Sequence, residues 1–172
     1  RIYTLSRDNI TSNAMKVEIN GSGLDSKLLE KQKEVDTNPK RSNIIYCCVK
    51  AIAYGKENKF KDAIKVLEKQ FNYKFDKFKG KKKALKYLTI LLEKHSELER
   101  ESLLQFAAFI RENLVSDLAN FRSGDIKTFY ETHTLNQLLL CVSIPEDISL
   151  HKTIHKSKGD EFDNVLLVLN EE

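Results

Sequence analysis

From Ser42 to Phe121 apolar side chains recur at intervals of three and four residues, and this pattern commits most of the chain to helix. Ser42 reads as the N-cap of a helix with Ile44, Ile45, Cys48, Val49 and Ile52 on one face. Asn58 reads as the cap of the next, in which Phe60, Ala63, Ile64, Leu67 and Phe71 keep amphipathic spacing while Lys59, Lys61, Lys65 and Lys69 take the polar side. A third helix is expected over 82–94, with Leu85, Leu88, Leu91 and Leu92 inward. A fourth, over 101–121, is expected to be the longest. Its Leu103, Leu104, Phe106, Ala107, Ile110, Leu114, Leu118 and Phe121 span too wide an arc for a surface helix, which makes it the central element. Gly124 is placed as its C-cap, Asp125 as the cap of a short helix through Tyr130, and 135–142 as a further apolar segment before Pro145.

The two ends read differently. Residues 2–5 are β-branched and aromatic and run into polar Ser6-Arg7-Asp8-Asn9, as a strand followed by a loop, with a short helix expected over 10–16. The pattern weakens over 17–39, where Gly21-Ser22-Gly23 is a loop and Leu24, Leu28 and Leu29 belong to a short helix. Residues 151–155 alternate in strand fashion, and Val165 to Leu169 form an unbroken apolar run of the kind found in strands covered on both faces. Strand-like ends around a helical middle predict an α/β chain that leaves a sheet, builds a helical insertion and returns. The abrupt start at Arg1 and the few strands read as a piece of something longer.

Scarce Gly and Pro (6 and 2 of 172 residues) and abundant Lys, Leu, Glu, Ala and Ile agree with a mainly helical middle. No apolar stretch has the length to cross a bilayer, and the N-terminus does not resemble a signal peptide. Cys47, Cys48 and Cys141 are odd in number and lack metal-ligand spacing, so they are expected to be buried free thiols of a reducing cytosol. The net charge of +4 is uneven, with Lys crowded between Lys50 and Lys83. Such a run can face phosphates, although a solvated helix face is its commoner meaning.

One segment carries more chemistry than the rest. In Thr153-Ile-His-Lys-Ser-Lys-Gly-Asp-Glu-Phe-Asp-Asn-Val165, the residues Thr153, His155, Ser157, Lys158, Gly159, Glu161, Phe162 and Val165 hold a fixed pattern that leads into the apolar run. It resembles motif V of the superfamily 1 DNA helicases of the UvrD/Rep/PcrA type. Asp160 departs from that family's usual Leu at a position of local packing. Tyr3-Thr-Leu-Ser-Arg-Asp-Asn-Ile-Thr-Ser12 is similar to the family's motif IV, with Arg7 and Asn9 in the matching places.

The resemblance implies a partial RecA-like parallel sheet (domain 2A) from residues 1–20 and 148–172, interrupted by a mainly α-helical 2B-like insertion over 21–147. It implies an ATP-dependent parent enzyme that translocates on single-stranded DNA and unwinds duplex in repair or replication, in the cytoplasm beside the nucleoid. Gly159 and Glu161 would then serve ATP, with Glu161 accepting from the ribose. Arg7, Asn9, Thr153, His155 and Lys158 would contact single-stranded DNA. ATP and Mg²⁺ would bind the full-length parent through a 1A domain, a protein partner could sit on the insertion, and no membrane is involved. The chain has no G-x-x-x-x-G-K-Ser/Thr loop, no Walker B acidic pair, and ends at Glu172 before a motif VI arginine. By itself it is expected to be catalytically inactive, with no catalytic residue and no metal site.

Two other classes compete. Ala51 to Leu67 looks somewhat like a tetratricopeptide unit, which would make the chain a helical protein-interaction module, although a solenoid needs about three repeats and no second copy is present. A basic nucleic-acid-binding domain without ATPase activity, built on Lys50 to Lys83, leaves the terminal motifs unexplained. An independent enzyme is disfavoured, because His95, His133, His151 and His155 show neither metal nor triad spacing.

Overall fold

The computed structural model describes residues 3–6, 24–25, 27–71, 77–122, 124–142, 151–153 and 165–168. The chain divides into two units, Arg1–Leu28 with Leu140–Glu172, and Leu29–Leu139. Seven helices are found among the described residues: α1 (Leu28–Val35), α2 (Pro39–Lys56), α3 (Phe60–Gln70), α4 (Lys77–Leu98), α5 (Leu103–Asn113), α6 (Asp125–Thr132) and α7 (Leu135–Leu140). Three short strands, β1 (Tyr3–Ser6), β2 (His151–Thr153) and β3 (Val165–Val168), belong to the first unit.

The expected α/β class, a RecA-like parallel sheet carrying a helical insertion, is therefore corrected. The chain is mainly α-helical. The described part of Leu29–Leu139 contains no strand and no sheet, and among the described residues it holds nearly all of the buried apolar side chains. The described strands, of three and four residues, are at the short end of the usual range. In the first unit, β1 pairs in parallel with β2 (Thr4 with His151, Ser6 with Thr153) and with β3 (Tyr3 with Val165, Ser6 with Val168).

In the helical unit the helices form where expected, but their ends are set by chemistry that periodicity does not report. Helix α2 begins at Pro39 rather than Ser42. The Asn38 side chain accepts from Arg41 N at 3.0 Å, and proline is pre-set for the first helical turn. Ser42 is instead buried inside the helix. Asn58 is not an N-cap; at φ 59° it reverses the chain after α2, donating its backbone N–H to Gly55 O at 3.0 Å. The turn is tight enough for α2 and α3 to pack as a hairpin with α4 beside them.

Helix α4 is the longest, at 22 residues. Its buried positions are Ala84, Tyr87, Leu88 and Leu91, so Leu85, expected inward, is turned out and 52% exposed. Helix α5 is half the expected length. It is opened by Ser102 in a capping box with Gln105 and closes at Asn113. Beyond it Leu114 and Leu118 stay buried in non-helical chain, where the Tyr87 hydroxyl donates to Leu114 O at 2.6 Å. An apolar run can thus be buried without being one helix. Gly124, at φ 122°, is the N-cap of α6 and not the C-cap of α5. Ser102 and Thr134 meet in an isolated antiparallel bridge, and Leu103 N donates to His133 O at 2.8 Å, which places the starts of α5 and α7 side by side.

Candidate functional site

Of the residues singled out for DNA and nucleotide contacts, the structure describes Thr153 alone. It is the last residue of β2, in register with Ser6, the last residue of β1, whose other partner is Val168 at the end of β3. Parallel pairing gives the three strands a common C-terminal edge. In the sequence Arg7 follows Ser6 directly and Ile154-His155 follow Thr153. Arg7, Asn9, His155, Lys158, Gly159 and Glu161 themselves lie outside the described residues.

The helical unit contributes two polar arrangements that periodicity did not single out. The first is buried. Asp36, just after α1, receives Arg41 through Nε to Oδ2 at 2.9 Å and Nη2 to Oδ1 at 2.6 Å. It also receives the backbone N–H of Asn38 at 3.1 Å and the Tyr130 hydroxyl at 2.9 Å. Tyr130 accepts in turn from Gln32 Nε2 at 2.5 Å. The free edge of the Arg41 guanidinium donates to Asn120 O at 2.8 Å, and its flat face covers Phe121 at 4.1 Å. Burial, followed by the Asp36 carboxylate, pushes the Tyr130 hydroxyl far above its ordinary range. One ion pair therefore ties α1, α2, the chain after α5 and α6 together. With its donors and acceptors used internally, its role is structural. An open groove of about 600 Å³ lies beside it, lined by Asn38, Arg41, Asn120, Arg122 and Asp125.

The second arrangement is a partly exposed cationic face on α1, α2 and α3. Lys33 Nζ and Lys50 Nζ stand over the Tyr46 ring at 4.8 and 5.3 Å from its centre, and Lys50 also approaches Tyr54 at 5.8 Å. Burial would lower the Lys50 ammonium, but the Tyr54 and Tyr46 phenols outweigh it and leave the group raised. Half-buried Cys47 sits beside them, its thiol 3.9 Å from Gln70 Oε1. Burial raises the Cys47 thiol, opposed by Lys50, Lys33 and Lys69. Cys48 and Cys141 are buried free thiols, and Cys47 differs from them in reaching the surface. Among the described residues no group of three or more His, Cys, Asp or Glu side chains could hold a metal ion.

Both arrangements escaped the sequence because their members are distant along the chain. Asp36 and Tyr130 are 94 residues apart. The one local clue was the Asp36-Thr37-Asn38-Pro39 sequence with Arg41 as the third residue of the helix. No described helix is long and apolar enough to cross a membrane. No protein-family model matches this chain, and neither a curated protein nor a solved structure is significantly similar to it.

Proposed function

We propose that this chain is part of an ATP-dependent DNA helicase that moves along single-stranded DNA and unwinds duplex, and that the Thr153–Val165 segment couples nucleotide to strand. The reading rests on one observation, the eight matching positions of that segment from Thr153 to Val165. The parallel pairing of Ser6 with Thr153 adds support, because the strands that precede the two motif segments in the sequence are neighbours. A motor must let two ligands bias the position of one segment, and a segment with Gly159 between charged residues has the chemistry for that. In this reading Glu161 holds the nucleotide ribose beside Gly159, while Arg7, Asn9, Thr153, His155 and Lys158 hold the strand backbone. ATP supplies the driving free energy and Mg²⁺ its charge neutralisation, both in the full-length protein.

The test is kinetic. In the full-length protein Glu161→Ala is expected to lower DNA-stimulated ATP hydrolysis by about tenfold or more while changing single-strand affinity by less than about threefold. Loss of affinity with unchanged turnover would overturn the assignment. The α2–α3 hairpin favours a second reading, a helical protein-interaction module, in which the same substitution leaves the chain's binding partner unaffected.

A further inference from the structure

Between Lys40 and Lys86 fifteen Lys and Arg residues face only four Asp and Glu, so the segment that builds α2, α3 and the first half of α4 is strongly cationic. Part of that charge is paired: Lys40, Arg41, Lys56 and Lys65 each meet a carboxylate. Lys33, Lys50 and Lys69 differ, since none of them makes an ion pair among the described residues. Lys33 and Lys50 share one ring, so their ammonium groups stand no farther apart than the sum of 4.8 and 5.3 Å. Like charges held that close repel, and the Tyr46 π-face offsets the repulsion only in part. Lys69 completes the group, acting with the other two on the Cys47 thiol. Three elements thus deliver three cations to the surroundings of Cys47.

We propose that the Lys33, Tyr46, Lys50 and Lys69 face binds the phosphodiester backbone of a nucleic-acid strand. Phosphate oxygens between the ammonium groups remove the repulsion and release counterions. Recognition is of the backbone and not of the bases, because the Tyr46 ring that a base would stack on already carries Lys33 and Lys50. A long polyanion is favoured over a single anion because the positive charge continues beyond the patch along α3. The inference makes no use of the Thr153–Asp163 motif, so it stands or falls apart from the helicase reading.

The experiment uses the whole chain and a fluorescent mixed-sequence oligonucleotide of on the order of twenty nucleotides, with affinity measured against sodium chloride. The double variant Lys33→Gln with Lys50→Gln is expected to weaken binding about tenfold or more at low salt and to reduce the salt slope by about two. The double variant Lys81→Gln with Lys82→Gln removes the same charge from exposed α4 positions and is expected to cost less than about threefold. Equal losses in the two variants, or none in the first, would overturn the proposal. Displacement by polyglutamate as readily as by unlabelled oligonucleotide would also overturn it, in favour of an acidic protein segment, as would displacement by inorganic phosphate alone at equal charge. Circular dichroism melting follows folding. If the first double variant fails to fold, Lys33→Gln and Lys69→Gln, both at exposed positions, are compared singly with Lys81→Gln under the same criteria.

Discussion

Arg41 holds Asp36 through two parallel hydrogen bonds, Nε to Oδ2 at 2.9 Å and Nη2 to Oδ1 at 2.6 Å, with their side chains 6% and 0% exposed. A planar guanidinium on a carboxylate uses the geometry of both groups, and burial makes the pair's integrity matter more than its net worth.

Removing one partner leaves the other charged and unpaired in the interior. Arg41→Met is expected to destabilise the chain by about 3–5 kcal/mol in urea unfolding at neutral pH. The double variant Arg41→Met with Asp36→Leu should recover part of that loss. A single-variant cost below about 1 kcal/mol would mean that the pair does not anchor α1 to α2.

Alkaline stability reports the same cluster. The Tyr130 hydroxyl is held well above its ordinary value, so the folded chain keeps that proton where the unfolded chain releases it. The contribution is fully present below the unfolded value of about 10 and is lost as pH rises above it. Tyr130→Phe should therefore be less stable than the parent at pH 7, where two hydrogen bonds are missing, with the difference shrinking as pH rises above about 10. Paired melting curves across that range check it; a constant difference would contradict the linkage.

Gly55 lies on α2 where a Cβ would stand 2.7 and 2.9 Å from the Leu92 methyls of α4. Gly55→Ala gains helix propensity but must displace that leucine. A net loss of about 1 kcal/mol is expected, reversed in the Gly55→Ala, Leu92→Ala background, where propensity alone remains. A stabilising Gly55→Ala single variant would show that Leu92 moves aside freely.

Helix α4 offers a direct comparison of faces. Leu88→Ala, at 2% exposure, is expected to cost about 2–5 kcal/mol. Leu85→Ser, at 52% exposure, should change stability by about 0.5 kcal/mol or less. Thermal unfolding of both variants decides it, and equal costs would place Leu85 in the core.

The sequence made helix existence legible because apolar spacing is a local property. Phe60, Ala63, Ile64 and Leu67 describe one face of α3 whatever surrounds it, and Ala63 and Leu67 are fully buried. Boundaries were less legible. The apolar residues after Ile110 continued a helical pattern, yet α5 stops at Asn113 and Leu114 is buried by a bond from Tyr87 on another helix. The motif residues were legible as a pattern alone, since His155, Ser157, Lys158, Gly159, Glu161 and Phe162 lie outside the described residues.

By itself the sequence determined that the middle of this chain is helical and that its ends carry short strand-like segments. Only the tertiary structure decided that the chain is mainly helical rather than α/β, because class depends on which elements bury apolar area, and among the described residues the buried side chains lie mostly on helices. It also decided that Asp36 meets Tyr130 across 94 residues and that Lys33 meets Lys50 over Tyr46. Such contacts join residues on separate helices, and no spacing along the chain encodes how separate helices pack.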